Sequence, residues 1–250
     1  MKRGKKMLII IISILVAICL IAWGVTTYLG RSQTLSVKSI ENLNGDLYLI
    51  HLTKPDNMTW KSGSYIEIAL PDAKESGQKS RFLTIASNPD EDEILILTHN
   101  SGSLYKKMLT SLPVGSKVEM SWLGSHLSVE DDKGPLVCFA SDVGIAAIRP
   151  IAKEWGGKRD IILSHLDKGV TVFDKELSDM ANHEDTFTYE TSASLSQSQE
   201  KLGKAVDKYG SKAVYLLAGQ PDDVEMMKKF LEENGISIKQ IKVDNFKGLK

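Results

Sequence analysis

No side chains in this 250-residue sequence have the spacing of a nucleophile with its base, of paired carboxylates in a motif, or of a Walker-type phosphate loop. The histidines, His51, His99, His126, His165 and His183, are scattered without metal-ligand spacing and read as surface or loop residues. Cys138 alone lies outside the apolar N-terminus, so the rest of the chain can build no internal disulfide, iron–sulfur cluster or cysteine zinc site. Asp131-Asp132 and Asp222-Asp223 read as loop and helix-start charges. Two turns are suited to phosphate instead. Gly102, Ser103 and Leu104 open a short helical stretch whose first N–H groups and positive dipole end suit a diphosphate. The strand Pro135 to Ala140 runs through Ser141-Asp142-Val143-Gly144 into a helix start, a strand–turn–helix that can hold phosphate in the same way.

Two different rhythms must position these turns. From Leu35 to about Val129 short β-branched or alternating runs are expected as strands, at Leu47 to Leu52, Ser64 to Leu70, Arg81 to Ala86, Ile94 to Thr98 and Lys117 to Ser121. Asn44-Gly45, Pro71-Asp72, Asn88-Pro89 and Pro113-Val114-Gly115 punctuate them, and a helix over Leu104 to Ser111 interrupts them, the pattern of an antiparallel barrel or sandwich. Beyond Gly134 strands at Pro135 to Ala140, Asp160 to His165 and Ala213 to Ala218 alternate with helices at Ile145 to Trp155, Val170 to Ala181, Gln199 to Tyr209 and Asp222 to Asn234. That alternation predicts a parallel sheet with crossover helices, whereas the Ser- and Gln-rich stretch Thr191 to Gln199 reads as a loop. The fold class expected is therefore an N-terminal transmembrane helix, an antiparallel β-barrel over 31–133 and an α/β parallel-sheet domain over 134–250.

Composition is ordinary for a globular chain, with 42% hydrophobic and 25% charged residues, and a net charge of -1 offers no basic field for nucleic acid. The start is the exception. Met7 to Trp23 carries no charge, and the apolar run extends over 7–28, about 22 residues, enough to cross a hydrocarbon core of about 30 Å. Lys2, Arg3, Lys5 and Lys6 precede it, while only Arg31 and Lys38 follow closely, so residues 1–6 are expected in the cytoplasm and the rest of the chain outside. No small-x-small cleavage site follows the run, and Cys19, preceded by Ile18, reads as a membrane-core residue.

Four segments, in order, are similar to the ferredoxin-NADP reductase superfamily of FAD-binding oxidoreductases. Trp60 to Ile68 resembles its aromatic-x-x-Gly-Gln-Tyr segment. Arg81 to Ser87 resembles its flavin motif, with Leu83 where the family places a ring-stacking aromatic. Ser101 to Met108 resembles its Gly-Ser pyrophosphate segment. Pro135 to Pro150 resembles its glycine-rich nicotinamide-nucleotide turn, with Gly144 retained but Ser141 and Asp142 in place of glycines. Tyr215 to Met227 and Val243 to Leu249 are similar to its Gly-Pro loop and closing acid-x-Phe segment.

The resemblance implies FAD bound through Arg81, Leu83, Thr84, Ser87, Gly102, Ser103 and Leu104. Gly144, Gly219 and Phe246 are its candidates for contact with a nicotinamide or with the flavin. An NAD(P)H requirement stays open, and Thr191 to Leu195 lacks the arginine that would favour NADP. The function implied is a membrane-anchored, FAD-dependent electron-transfer oxidoreductase whose soluble part is extracytoplasmic. It would pass electrons between a membrane redox partner and an acceptor such as flavin or a metal ion. A conventional NAD(P)H-dependent flavin reductase with a cytoplasmic domain and a non-catalytic subunit of a membrane redox complex are the alternatives. A flavin explains why no acid–base constellation is needed, since the ring carries the electrons and the protein binds, orients and shields it.

Overall fold

The computed structural model describes residues 12–21, 32–71, 79–129 and 134–246. Residues 12–21 form a helical segment, α1, with exposed Ile, Leu and Val side chains. Among the described residues no helix is long and apolar enough to cross a membrane, and the remainder of the expected span, 7–11 and 22–28, lies outside them.

Strands β1 (Gln33–Asn44), β2 (Leu47–Thr53), β3 (Ser64–Ala69), β4 (Ser80–Thr84), β5 (Glu93–His99) and β6 (Lys117–Ser125) form one sheet in the order β4-β3-β6-β1-β2-β5. All its pairings are antiparallel, and an Ile85–Ile96 bridge brings the two edge strands together, closing the sheet into a barrel. Helix α2 (Leu104–Thr110) plugs it, with Tyr105 and Leu109 fully buried.

The second sheet contains β7 (Leu136–Ser141), β8 (Ile161–Leu166), β9 (Phe187–Ser192), β10 (Val214–Gly219) and β11 (Ile241–Asn245), in the order β11-β10-β7-β8-β9, all parallel. Every residue of β7 is buried because both faces are covered. Leu136, Cys138 and Ala140 share a cluster with α3 (Ile145–Trp155) and with Leu177 of α4 (Asp174–His183). Val137 and Phe139 pack with α5 (Leu195–Tyr209) and α6 (Pro221–Glu233).

Two barrel strands have the same two-sided burial. In β5, Ile94 and Ile96 face the barrel core, whereas Leu95 and Leu97 join the cluster of the α/β domain. In β2, Ile50 and Leu52 face inward and Leu47 and Leu49 face the same interdomain cluster. The barrel and the parallel sheet thus share one apolar seam.

Two expectations are corrected. Thr191 and Ser192 end β9, and α5 begins at Leu195, so the Ser- and Gln-rich stretch is no loop. Ser194 caps the helix by accepting from the Gln197 N–H, which is the ordinary work of a serine at that position. Helix α4 begins at Asp174, not Val170, because Lys168 (φ 49°) and Gly169 (φ 94°) turn the chain left-handed and a turn at Thr171 follows.

An ionic cluster reinforces the seam. Arg149 of α3 donates to the Ala86 carbonyl at 2.7 Å, to both Glu91 oxygens at 3.0 and 2.8 Å, and to Glu176 of α4 at 2.5 and 2.8 Å. Lys153 also bridges the two glutamates. Burial opposes ionisation of Glu91, but the hydrogen bonds from Arg149 and Lys153 outweigh it and hold its pKa at about 2. Arg149→Met leaves two partly buried carboxylates with Lys153 as their remaining shared cation, and urea unfolding is expected to show a loss of about 2–4 kcal/mol at neutral pH. Because the Glu91 pKa is lowered, its contribution should fade as the pH falls below the ordinary glutamate value toward 2.

Candidate functional site

A cavity of about 460 Å³ opens between the barrel and the C-terminal end of the parallel sheet. Its walls include Arg81, Phe82, Leu83 and Thr84 from β4, Leu97 and Thr98 from β5, Lys106 from α2, and Val143, Asp244 and Phe246 from the α/β domain. That volume lies within the range of small-molecule and cofactor pockets.

One end of the cavity is aromatic. Phe82 is 58% exposed and meets Tyr65 edge-on, with ring centroids 5.6 Å apart. Tyr65 stacks on His126 at 4.8 Å. The tyrosine lies against its cross-strand partner Gly124, where an added Cβ would sit 2.7 Å from the ring. Leu83 is only 7% exposed and belongs to the barrel core, so the flat surface lost at that position stands beside it on Tyr65 and Phe82.

The other end is cationic. Arg81 places its guanidinium 5.4 Å from the centre of the Tyr105 ring. Lys106 is buried, donates to the Thr98 hydroxyl, and has no carboxylate partner among the described residues. Burial, reinforced by the field of Arg81, pushes its pKa down to about 8. Exposed Arg81 and buried Lys106 together give this part of the lining a positive field.

Of the residues expected to bind FAD, the fold brings Arg81, Leu83 and Thr84 together on the cavity, joined by Phe246. Ser87 lies behind it as a structural residue. Its hydroxyl accepts from the Leu95 N–H and its carbonyl from the Trp60 indole. Gly102, Ser103 and Leu104 are not part of the lining. Gly102 takes a left-handed φ of 79°, Ser103 caps α2 through the Lys106 N–H, and Leu104 is half exposed. The helix presents Lys106 instead.

Gly144 and Gly219 are required by packing. A Cβ on Gly144 would lie 2.2 Å from the Ala218 carbonyl, and one on Gly219 2.1 Å from that of Ser141. Between them sits Asp142, left-handed at φ 58° and 3% exposed. Its carboxylate accepts from His99 at 2.8 Å and Gln220 at 2.7 Å. Burial opposes its ionisation, but these contacts and the field of Lys168 keep its pKa below the ordinary value, while His99 is held above its own.

Sequence reasoning missed Tyr65, Phe82, Lys106, His126 and Asp244. Tyr65, Phe82, Lys106 and Asp244 lie inside matched segments and carry a usable signal, whereas His126 is brought in only by the fold. The reading of all histidines as surface or loop residues is also corrected. His165 is fully buried on β8, bonded to the Asp142 carbonyl at 3.1 Å, and His51 and His99 sit on strands.

Asp244 is buried, and its Oδ2 lacks a hydrogen-bond partner among the described residues. Burial pushes its pKa up to about 6, only partly offset by His126. Ionising it therefore costs stability as the pH rises from the ordinary aspartate range through 6. Asp244→Asn should raise unfolding stability at pH 7 by about 1–3 kcal/mol and leave it unchanged at pH 3.5, as thermal melts at the two pH values would read.

The sequence matches no protein-family model, and no curated protein matches it significantly. Solved structures do match its fold. The cytochrome P450 reductase of Amycolatopsis superposes with a TM-score of 0.72 at 19% identity, over 88% of this chain and 72% of that one. A ferredoxin NADP+ reductase from Neisseria gonorrhoeae with bound FAD and NADP gives 0.70 at 13%, over 86% and 99%. An intact self-sufficient cytochrome P450 monooxygenase gives 0.65 at 15% over 86% of this chain, which spans only 28% of that longer one. The chain therefore shares the two-domain fold of these structures, an antiparallel barrel followed by a parallel α/β domain.

Proposed function

We propose that this chain is an FAD-dependent oxidoreductase that binds its flavin in the interdomain cavity. The observation that carries the reading is one pocket with a flat aromatic end, formed by Tyr65 and Phe82, and a cationic end, formed by Arg81 and Lys106. Those two ends suit a heteroaromatic ring and a diphosphate respectively. Two of its structural neighbours are reductases, and the one from Neisseria holds FAD.

The bound flavin supplies the redox chemistry. Arg81 and Lys106 hold its diphosphate, Thr84 offers a hydroxyl on the β4 wall, and Tyr65 with Phe82 flanks the ring. Phe246 closes the cavity from the α/β domain and keeps water from the ring. We further propose that residues 7–28 anchor the chain in a membrane, that the two domains lie outside the cytoplasm, and that electrons pass between a membrane redox partner and an acceptor such as free flavin or a metal ion. The uncharged run from Met7 to Trp23 and the cations ahead of it support this placement.

Full-length protein purified in detergent should carry the visible absorption bands of oxidised flavin, released as FAD on denaturation. Colourless protein that takes up no added FAD would overturn the assignment. Lys106→Met should weaken FAD binding about ten- to hundredfold, measured by flavin fluorescence quenching. Because a bound diphosphate raises a lysine pKa that burial has lowered to about 8, binding takes up a proton, and wild-type affinity should fall as the pH rises through 8.

A further inference from the structure

In an open parallel sheet the crevice beyond the C-terminal ends of the strands, at the point where their order reverses, is the general place for a nucleotide. Here that point lies between β7 and β10, whose following helices α3 and α6 depart on opposite faces. The chain's own polar side chains fill it. Ser141 donates to Asp223, and Lys168 donates to Asp223 at 2.6 Å and to the Gln220 amide oxygen at 2.8 Å. The other end of the Gln220 amide donates to Asp142 at 2.7 Å. The second Asp142 oxygen binds His99 of the barrel at 2.8 Å, and His99 reaches Asp46 in the β1–β2 turn at 2.9 Å. His165 holds the Asp142 carbonyl from below at 3.1 Å.

This arrangement does not fit a nucleotide diphosphate. Asp142 and Asp223 put two carboxylates where the ligand would bring two more negative charges, and Lys168, a nearby cation, is already engaged by Asp223. The Asp142 carboxylate cannot simply swing aside. Its backbone is left-handed and wedged between Gly144 and the end of β10, and the side chain is 3% exposed and held from two elements. Removing it would take the acceptor away from His99 Nε2 and from the Gln220 side-chain N–H.

We infer that the crevice of the α/β domain excludes nicotinamide nucleotides, and that Asp142, His99 and Gln220 have turned it into a clasp between the two domains. The clasp explains in one stroke why an aspartate occupies a left-handed position that glycine takes without strain. Its carboxylate supplies the interdomain bond. Resting on the flavin reading, a further consequence is that the electron donor carries no nucleotide diphosphate and meets the flavin at the cavity itself.

The test is calorimetric titration of full-length, FAD-supplemented protein with ADP-ribose, NADH and NADPH, in wild type, Asp142→Asn and Asp142→Gly. Wild type should bind none of them more tightly than about 1 mM. Asp142→Asn, which keeps hydrogen-bonding capacity while losing the charge, should bind ADP-ribose at least tenfold more tightly than wild type. Asp142→Gly, whose backbone suits the left-handed turn, should do the same. Wild-type binding tighter than about 1 mM, or no gain in either folded variant, would overturn the inference. Neither readout depends on turnover, so a protein that fails to take up FAD would sink the proposed activity while the crevice is still tested.

Discussion

The molecule depends on one constraint: β2 and β5 must bury both of their faces. A barrel strand ordinarily shows one side to solvent, but Leu47, Leu49, Leu95 and Leu97 point outward into the core of the second domain. Exposing that seam would leave a contiguous apolar patch, so barrel and parallel sheet are fixed against each other as one unit. The cavity is a product of that fixing, because one wall comes from β4, β5 and α2 and the other from Val143, Asp244 and Phe246. Neither domain contains the site alone.

Polar contacts then select among the ways two apolar faces could slide. Arg149 ties α3 to the Ala86 carbonyl and Glu91 on one side of the seam, and Asp142 ties the β7 turn to His99 on the other. Both are partly buried and multiply bonded, the setting in which charge-assisted hydrogen bonds have directional value beyond their modest net energy. The two anchors differ in their position relative to the fold. Arg149 sits on a helix face, where it costs the domain nothing it might otherwise use. Asp142 sits at the mouth of the sheet, where its carboxylate bonds His99 of the barrel.

This division of labour makes the two halves of the chain unequal. The barrel presents cations, a hydroxyl and aromatic rings to the cavity. The parallel sheet turns its polar groups upon one another. Its contribution to the cavity is Val143 and Phe246 together with Asp244, whose Oδ2 has no hydrogen-bond partner among the described residues. The neighbour from Neisseria holds FAD and NADP; this chain has one open cavity and a crevice filled by its own polar side chains.

The order and type of the elements are legible along the chain wherever hydrophobic periodicity is long or turn chemistry strong. The strands at Ser64, Ile94 and Leu136, the helix Ile145–Trp155 and the change from antiparallel to parallel rhythm were all legible, because side-chain alternation is written locally. The sequence also marked Arg81, Thr84 and Phe246, which do line the cavity. The start of α5 was misread because a Ser- and Gln-rich exposed face resembles a loop in composition, and β1, β9 and β11 were passed over because their pairing partners lie far away in the chain. Tertiary structure alone decided that Lys106 rather than Ser103 faces the pocket, that Ser87 and the two glycines Gly144 and Gly219 serve packing, and that Asp142 reaches a histidine on another domain. Those outcomes depend on which surfaces meet when two cores share a seam, and a charge takes its meaning from the partner and the dielectric it finds there, neither of which is encoded in its neighbours along the chain.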